Sequence, residues 1–248
     1  MKNKTLSFIV AILGLILVWH LCSLALDKPF LPTPYTACVA LVQSTAEGTI
    51  LSDFGISTMR IVVSLLISLL IGVPLGLLIG TNKTINRFLS PLVYVLYPLP
   101  KVVFLPIIVV LLGIGNLPKI VLITLVIVFQ IIVTTSDAAK SIPNASLQSV
   151  KSLNANRMQI YRHLIFPYCL PSIYSALRIS IGIAVAIIFF AETFASTDGL
   201  GYFIMDSMQR RSYDMMYAGI IAMGFLGVIL YKITDWLEAV TCKWCKYQ

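Results

Sequence analysis

Long apolar runs separated by short polar breaks set the first expectation for this chain. Residues 5–26 form one such run behind Lys2 and Lys4, residues 56–80 a second, and residues 119–135, 170–195 and 213–233 three more. Each is close to the roughly 20 residues that a helix needs to cross the hydrocarbon core of a membrane. Between residues 87 and 113 the run is interrupted by Pro98, Pro100, Lys101 and Pro106. Lys101 therefore marks either the inner end of a short third span or a break midway through a longer one. Pro74, Pro98, Pro100 and Pro106 are expected to kink spans two and three. Six crossings would place both termini on one side. A cleaved signal peptide is the alternative for the first run, but its length and the lack of a small-residue cleavage pattern before Asp27 favour a retained span.

The polar segments between these runs predict shorter elements. Pro29, Pro32 and Pro34 mark a loop before a weakly amphipathic stretch over residues 36–46, and residues 81–87 read as a polar turn. The longest polar segment covers residues 137–169. Within it Leu147, Val150 and Leu153 recur at helical spacing and give a short helix one apolar edge, flanked by Gln148, Ser149, Lys151 and Ser152. Asn154 stops that helix, because Asn readily takes the left-handed conformation at a helix C-terminus. Asn156 caps a second helix, Gln159 completes a capping box, and Pro167 prevents simple continuation. Two helices at an angle make a knob whose apolar edge suits a groove on a partner protein. The alternative is a solvated hairpin lying on the membrane.

Composition and charge agree with a membrane protein and orient it. The 248 residues are 58% hydrophobic and 11% charged, with mean hydropathy +0.94, which implies an all-α polytopic bundle. The net charge of +8 does not point to nucleic acid, because the basic residues gather in short loops on one side. Lys2, Lys4, Lys83, Arg87, Lys140, Lys151, Arg157, Arg162, Lys232, Lys243 and Lys246 fall on the proposed inner side. Lys28, Lys119, Arg210 and Arg211 fall outside, and Arg60, Lys101 and Arg178 lie within spans. That asymmetry puts the loop around Gln148 and both termini in the cytoplasm.

The loop also resembles the segment by which permease subunits of bacterial ABC importers grip their ATPase. That pattern reads Glu-Ala-Ala, three residues, Gly, nine residues, Ile-x-Leu-Pro. Here Gln148-Ser149-Val150 stands at the triplet, Asn154 at the Gly and Leu164-Ile165-Phe166-Pro167 at the end. The triplet Asp137-Ala138-Ala139 is closer in identity, but neither the Gly nor the terminal Pro then falls in place. Ile71-Gly72-Val73-Pro74-Leu75-Gly76-Leu77, Pro98-Leu99-Pro100-Lys101, Gly113-Ile114-Gly115, Gly199-Leu200-Gly201-Tyr202 and Leu31-Pro32-Thr33-Pro34 look like the nitrate, sulfonate and taurine branch of these permeases. The likeness covers residues 31–233 of what reads as a single transmembrane domain over 1–248.

The resemblance implies a pair of permease subunits, a cytoplasmic ABC ATPase dimer and an extracytoplasmic substrate-binding protein. ATP and Mg would act on the ATPase, since this chain has no G-x-x-x-x-G-K-[ST] loop, and the chain itself would hold no cofactor. The coupling contact would involve Leu147, Gln148, Ser149, Val150, Leu153, Asn154, Arg157 and Pro167. The solute would be small: an anion such as nitrate or a sulfonate, or a small heterocycle. The site of action would be the bacterial inner membrane.

Ionisable residues within spans are costly unless they face protein or water, so Lys101, Arg178 and Glu192 are candidates for the translocation path. Glu192 is expected to pair with Lys101 or Arg60, to line the path, or to sit near the outer interface; Arg178 is within snorkelling reach of the inner surface. Cys242-Lys243-Trp244-Cys245 alone does not make a metal site, because further ligands are needed and His20 and His163 are remote. No set of catalytic residues stands out, so an enzyme is disfavoured. An ion-gradient-driven secondary transporter or channel, or a membrane scaffold without transport, is the rival from another class.

Overall fold

Two long helices carry matched stripes of polar and small residues. The computed structural model describes residues 2–244, with side chains from Val10 onward; the side chains of Lys2 and Lys4, and Cys245 and Lys246 altogether, lie outside the described residues. Helices α3 (Thr49–Thr81) and α6 (Asn116–Lys140) meet at points a constant 56 residues apart. Arg60 donates from Nε and Nη2 to Asn116 Oδ1 at 2.8 and 2.6 Å, Ser64 Oγ donates to the Ile120 carbonyl at 3.1 Å, and Ser68 Oγ donates to the Thr124 carbonyl at 3.4 Å. The stripe continues in glycine. A methyl group on Gly72, Gly76 or Gly80 would fall 3.2, 2.8 or 2.7 Å from the carbonyls of Val128, Ile132 and Ser136. Contacts every four residues on both helices are the ridge packing that small side chains permit in membranes, with backbones close enough for dispersion to act without a solvent-driven hydrophobic effect.

The register rises in the same direction on both helices, so α3 and α6 run parallel. Parallel neighbours need a return crossing between them. Residues 83–112 supply it as α4 (Lys83–Leu96), a 3-10 turn (Lys101–Phe104) and α5 (Leu105–Leu112), the two parts bent by 79°. From the level of Gly80 back to that of Arg60 is about 30 Å at 1.5 Å per residue, the thickness of a hydrocarbon core. A re-entrant loop would have returned to the side it left and made α6 antiparallel to α3. Of the two readings of Lys101, the break within a longer span is therefore the one observed, with Pro98 and Pro100 in the break and Pro106 in the first turn of α5. Pro74 sits inside an uninterrupted α3.

Two expectations about segment limits need correction. The polar turn is Asn82 rather than residues 81–87: its Oδ1 accepts the N–H groups of Thr84 and Ile85 at 2.9 and 3.3 Å, so Lys83 already begins a helix. Lys119, expected in an outer loop, is buried in the first turn of α6, where its ammonium donates to the Gly115 carbonyl at 3.0 Å.

The chain forms two compact units. Residues 58–191 and 226–248 make the larger, containing α3 from Thr58, α4 to α6, α7 (Asn144–Ser152), α8 (Arg157–Ile160), most of α9 (Phe166–Thr193) and the second half of α11 (Tyr213–Thr241). Residues 1–57 and 192–225 make the other, with α1 (Lys2–Leu26), α2 (Pro34–Ala46), the start of α3, α10 (Leu200–Gln209) and the first half of α11. In this unit Thr33 caps α2, and the proline loop is tied to α1 by Trp19 Nε1 donating to the Pro32 carbonyl at 3.0 Å and Ser23 Oγ donating to the Leu31 carbonyl at 2.8 Å. The indole also stacks on Tyr217 at 5.4 Å. Among the described residues there is no strand. Four helices, Thr49–Thr81, Asn116–Lys140, Arg157–Thr193 and Tyr213–Thr241, are long and apolar enough to span a membrane, and the bent pair makes a fifth.

Candidate functional site

The loop after Lys140 is built from local signals. Asn154 has φ +58, the left-handed turn that ends α7, with its N–H donating to the Lys151 carbonyl at 2.9 Å. Asn156 and Gln159 form a reciprocal capping box, Gln159 N to Asn156 Oδ1 at 2.9 Å and Asn156 N to Gln159 Oε1 at 2.8 Å. Beyond the capping box the chain departs from expectation. The second helix is not a separate short element, because α8 passes through a π-turn (Tyr161–Ile165) directly into α9, giving one helix over Arg157–Thr193. Pro167 does not stop it. Pro has no N–H for the carbonyl four residues back and its ring crowds that carbonyl, and the wide turn just upstream, closed by Phe166 N to the Tyr161 carbonyl, absorbs both.

The inner face of the loop packs on its own unit. Leu147, Ile160, Tyr161 and Leu164 lie against a buried cluster of Leu77, Ala138, Ala139, Ile142, Ile165, Cys169 and Ile173. The Tyr161 hydroxyl bonds that of Thr81, which also donates to the Leu77 carbonyl at 2.7 Å. Leu147, expected on the free apolar edge, instead anchors the loop. Val150 and Pro167 are half-buried, and Gln148, Ser149, Asn154 and Arg157 are exposed. The outward apolar residues are Leu153, 81% exposed, and Met158, 74% exposed. Met158 was not anticipated, because only the bend at Asn154 brings the start of the second helix beside the end of the first.

The three ionisable candidates occupy separate surroundings. Lys101 is buried at the break after α4, its ammonium donating to the Tyr97 carbonyl at 2.9 Å and lying 4.6 Å from the centre of the Phe129 ring. The Tyr97 hydroxyl donates to Gln130 Oε1, and Gln130 Nε2 donates to Thr134 Oγ1 at 3.4 Å, so a polar chain flanks this break. Arg178 joins α9 to α11 through Asp235 at 3.2 Å and through Glu238, with Nη2 donating to Ser175 Oγ at 3.0 Å. Sequence reading missed both acidic partners, 57 and 60 residues away.

Glu192 belongs to a different construction. Fully buried, it accepts Ser57 Oγ on both oxygens at 2.8 Å and the Gly201 N–H at 2.8 Å. Ser57 Oγ accepts the Leu200 N–H at 2.9 Å, and Asp53 Oδ1 accepts the Gly199 N–H at 2.7 Å. The N–H of Gly199, just before α10, and those of Leu200 and Gly201, its first two residues, are thus each capped by a side chain, two of the three being carboxylates placed at the positive end of the helix dipole. Gly199 has φ +101, and a methyl group there would strike the Glu192 carboxylate.

Residues 72–241, most of the bundle and the whole of the loop, match a family profile described as "Binding-protein-dependent transport system inner membrane component". The chain belongs to that family. It is 30% identical over 235 residues to the taurine transport system permease protein TauC of Escherichia coli (strain K12), covering 92% of this chain and 86% of TauC. It is 28% identical over 214 residues to the putative aliphatic sulfonates transport permease protein SsuC of Bacillus subtilis (strain 168), covering 86% and 78%. Its fold is that of a chain in inward-facing structures of the MetNI methionine ABC transporter, with TM-score 0.68, 18% identity, and coverage of 79% of this chain and 98% of that one. This member of the family is the multi-pass, inner-membrane permease subunit of an ABC importer of the sulfonate and taurine branch, not an enzyme and not an ion-gradient-driven transporter. Membership implies a separate ATPase and a substrate-binding protein as its partners.

Proposed function

We propose that residues 148–164 form the coupling element through which a cytoplasmic ATPase dimer drives this permease, with Mg and ATP held by that partner. The observation that carries this is the loop's two-sidedness. Its inner face, Leu147, Ile160, Tyr161 and Leu164, is packed into the ends of α3 and α6, while Leu153 and Met158 stand exposed on a bend fixed by Asn154 and a capping box. An apolar outer edge is what a groove on a partner can hold, and a packed inner face lets a push on that edge reach the spans as a rigid displacement.

In this reading the chain crosses the membrane six times, α1 and the bent pair included, with both termini in the cytoplasm, and works as a single domain beside a second copy of itself. The path would run past the break at Lys101, where a cation, an aromatic face and the Tyr97 and Gln130 side chains lie together in an otherwise apolar segment. Arg178 and Glu192, each engaged by partners of its own, would hold helices in place rather than meet the solute. The substrate is a small sulfonate or related oxyanion, by similarity to TauC and SsuC.

The test is purification with the ATPase and binding protein into vesicles, followed by uptake of labelled taurine and of an alkanesulfonate. Uptake that needs ATP and the binding protein supports the reading. Uptake that persists without ATP overturns it.

A further inference from the structure

The loop and the ends of α3 and α6 enclose a cleft of about 690 Å³ whose charge is of one sign. Lys83, Lys140, Lys151 and Arg157 line it, and no acidic residue does. Lys140 has a loose partner in Asp137 at 4.0 Å, which does not line the cleft; Lys83, Lys151 and Arg157 have no carboxylate partner among the described residues.

Two of these cations break a local rule. Lys83 is the first residue of α4 and Arg157 the first of the helix Arg157–Thr193, and neither helix has an acidic residue in its first turn. A cation at a helix N-terminus adds to the positive end of the dipole and is destabilising. Here two such ends, each carrying a cation, open on the same cleft. Sequences that violate local electrostatics tend to do so at functional sites, and an anion in the cleft would offset this one.

The cleft is also amphipathic. Its floor is formed by Ile79, Ala139, Ile142 and Ile165, where the apolar helices end, and α4, which leads away from it, presents exposed Phe88, Leu92 and Val95. A carboxylate of a docked protein would have no use for such a track, whereas a phosphate with an acyl chain would.

We propose that this cleft binds the headgroup of an anionic phospholipid of the inner leaflet, its phosphate among Lys83, Lys140 and Arg157 and its chain along α4. The inner-leaflet assignment rests on the orientation given under Proposed function; the binding itself does not. The lipid would brace the coupling loop against α3 and α4, making the transport rate depend on membrane charge.

The test uses the full chain in nanodiscs of phosphatidylglycerol or phosphatidylcholine, followed by mild delipidation and native mass spectrometry of retained lipid. Wild type should retain phosphatidylglycerol preferentially, and Lys83→Gln with Lys140→Gln should weaken that retention by about thirtyfold, the effect of two lysines at a membrane-surface phosphate. The pair Lys83→Arg and Lys140→Arg should keep it. If the glutamine pair fails to assemble, each single substitution should lower retention in part. No preference in wild type, or equal retention in every variant, overturns the proposal. So does a glutamine variant that keeps its lipid but loses co-purifying ATPase, since the cleft would then serve the protein partner. Loss of lipid preference with ATP-driven uptake intact leaves the functional reading standing, so the two can fail separately.

Discussion

Ser57 bridges two groups at once: its hydroxyl donates to the Glu192 carboxylate at 2.8 Å and accepts the Leu200 N–H at 2.9 Å. The start of α10 therefore depends on a serine 143 residues earlier in the chain. Replacing Glu192 by Ala strips acceptors from Ser57 and from the Gly201 N–H in a site without solvent access, which should cost about 2–4 kcal/mol. Thermal unfolding in detergent should fall accordingly. Ser57→Ala should cost less, because Glu192 still caps Gly201, and a Glu192→Ala variant of wild-type stability would show that this cap is dispensable.

Gly76 allows α3 to lie on the Ile132 carbonyl. Substitution by Leu places carbon where backbone and the Thr135 side chain stand at 2.7 to 2.8 Å from a new methyl group. Backbone cannot rotate away, so the helices must separate, at a cost of about 1–3 kcal/mol. Gly76→Leu should lower the unfolding temperature, and uptake with it, more than Gly14→Leu in α1, where nothing lies within 4 Å.

If the ATPase acts through this loop, residues that look alike in sequence should respond differently to substitution. Leu153→Asp with Met158→Asp should abolish ATPase co-purification while the chain still inserts and unfolds normally. Val150→Asp should act in the same direction. Leu147→Asp should instead destabilise the chain, because it puts a charge against the buried cluster. Asn154→Pro cannot adopt φ +58 and should uncouple hydrolysis from uptake, whereas Asn154→Gly should be tolerated. Normal coupling in both Leu153→Asp with Met158→Asp and Asn154→Pro would mean that the contact lies elsewhere.

Arg178→Ala leaves Asp235 and Glu238 facing each other without their cation. The groups are partly exposed, so the loss should be only about 1–2 kcal/mol in detergent. Arg178→Lys should recover part of it, since it restores the charge but not a guanidinium that reaches both carboxylates. If Arg178 serves the solute rather than the helix pair, uptake will collapse in both variants with stability unchanged.

Much of this was legible in the chain because it is written locally. The apolar runs, the bend at Asn154 and the capping box of Asn156 and Gln159 each depend on residues within a few positions of one another. The direction of Leu147 was not, since an apolar edge at helical spacing does not say whether it meets a partner or its own protein. Nor were the companions of Glu192 and Arg178, which tertiary folding brings from 57 to 135 residues away. The small pair Ala138 and Ala139, which imitates a coupling triplet, is explained by packing: both are buried at the end of α6, and Gly80 passes directly over Ala139.

Pro167 offers the last test, because the π-turn upstream has a removable cause. With Ala at 167, an N–H becomes available for the carbonyl of His163 and the ring no longer crowds it, so Tyr161–Ile165 can tighten to α-helical spacing. Tightening rotates everything before residue 161 by part of a turn relative to α9 and draws the Tyr161 hydroxyl away from Thr81. Pro167→Ala should therefore keep or raise the unfolding temperature while lowering uptake per ATP hydrolysed, a split that a simple loss of packing would not give. Thr81→Val, which removes the hydroxyl contact without changing the helix, should lower coupling in the same direction. If Pro167→Ala couples as well as wild type, the wide turn only accommodates the proline and does not aim the loop.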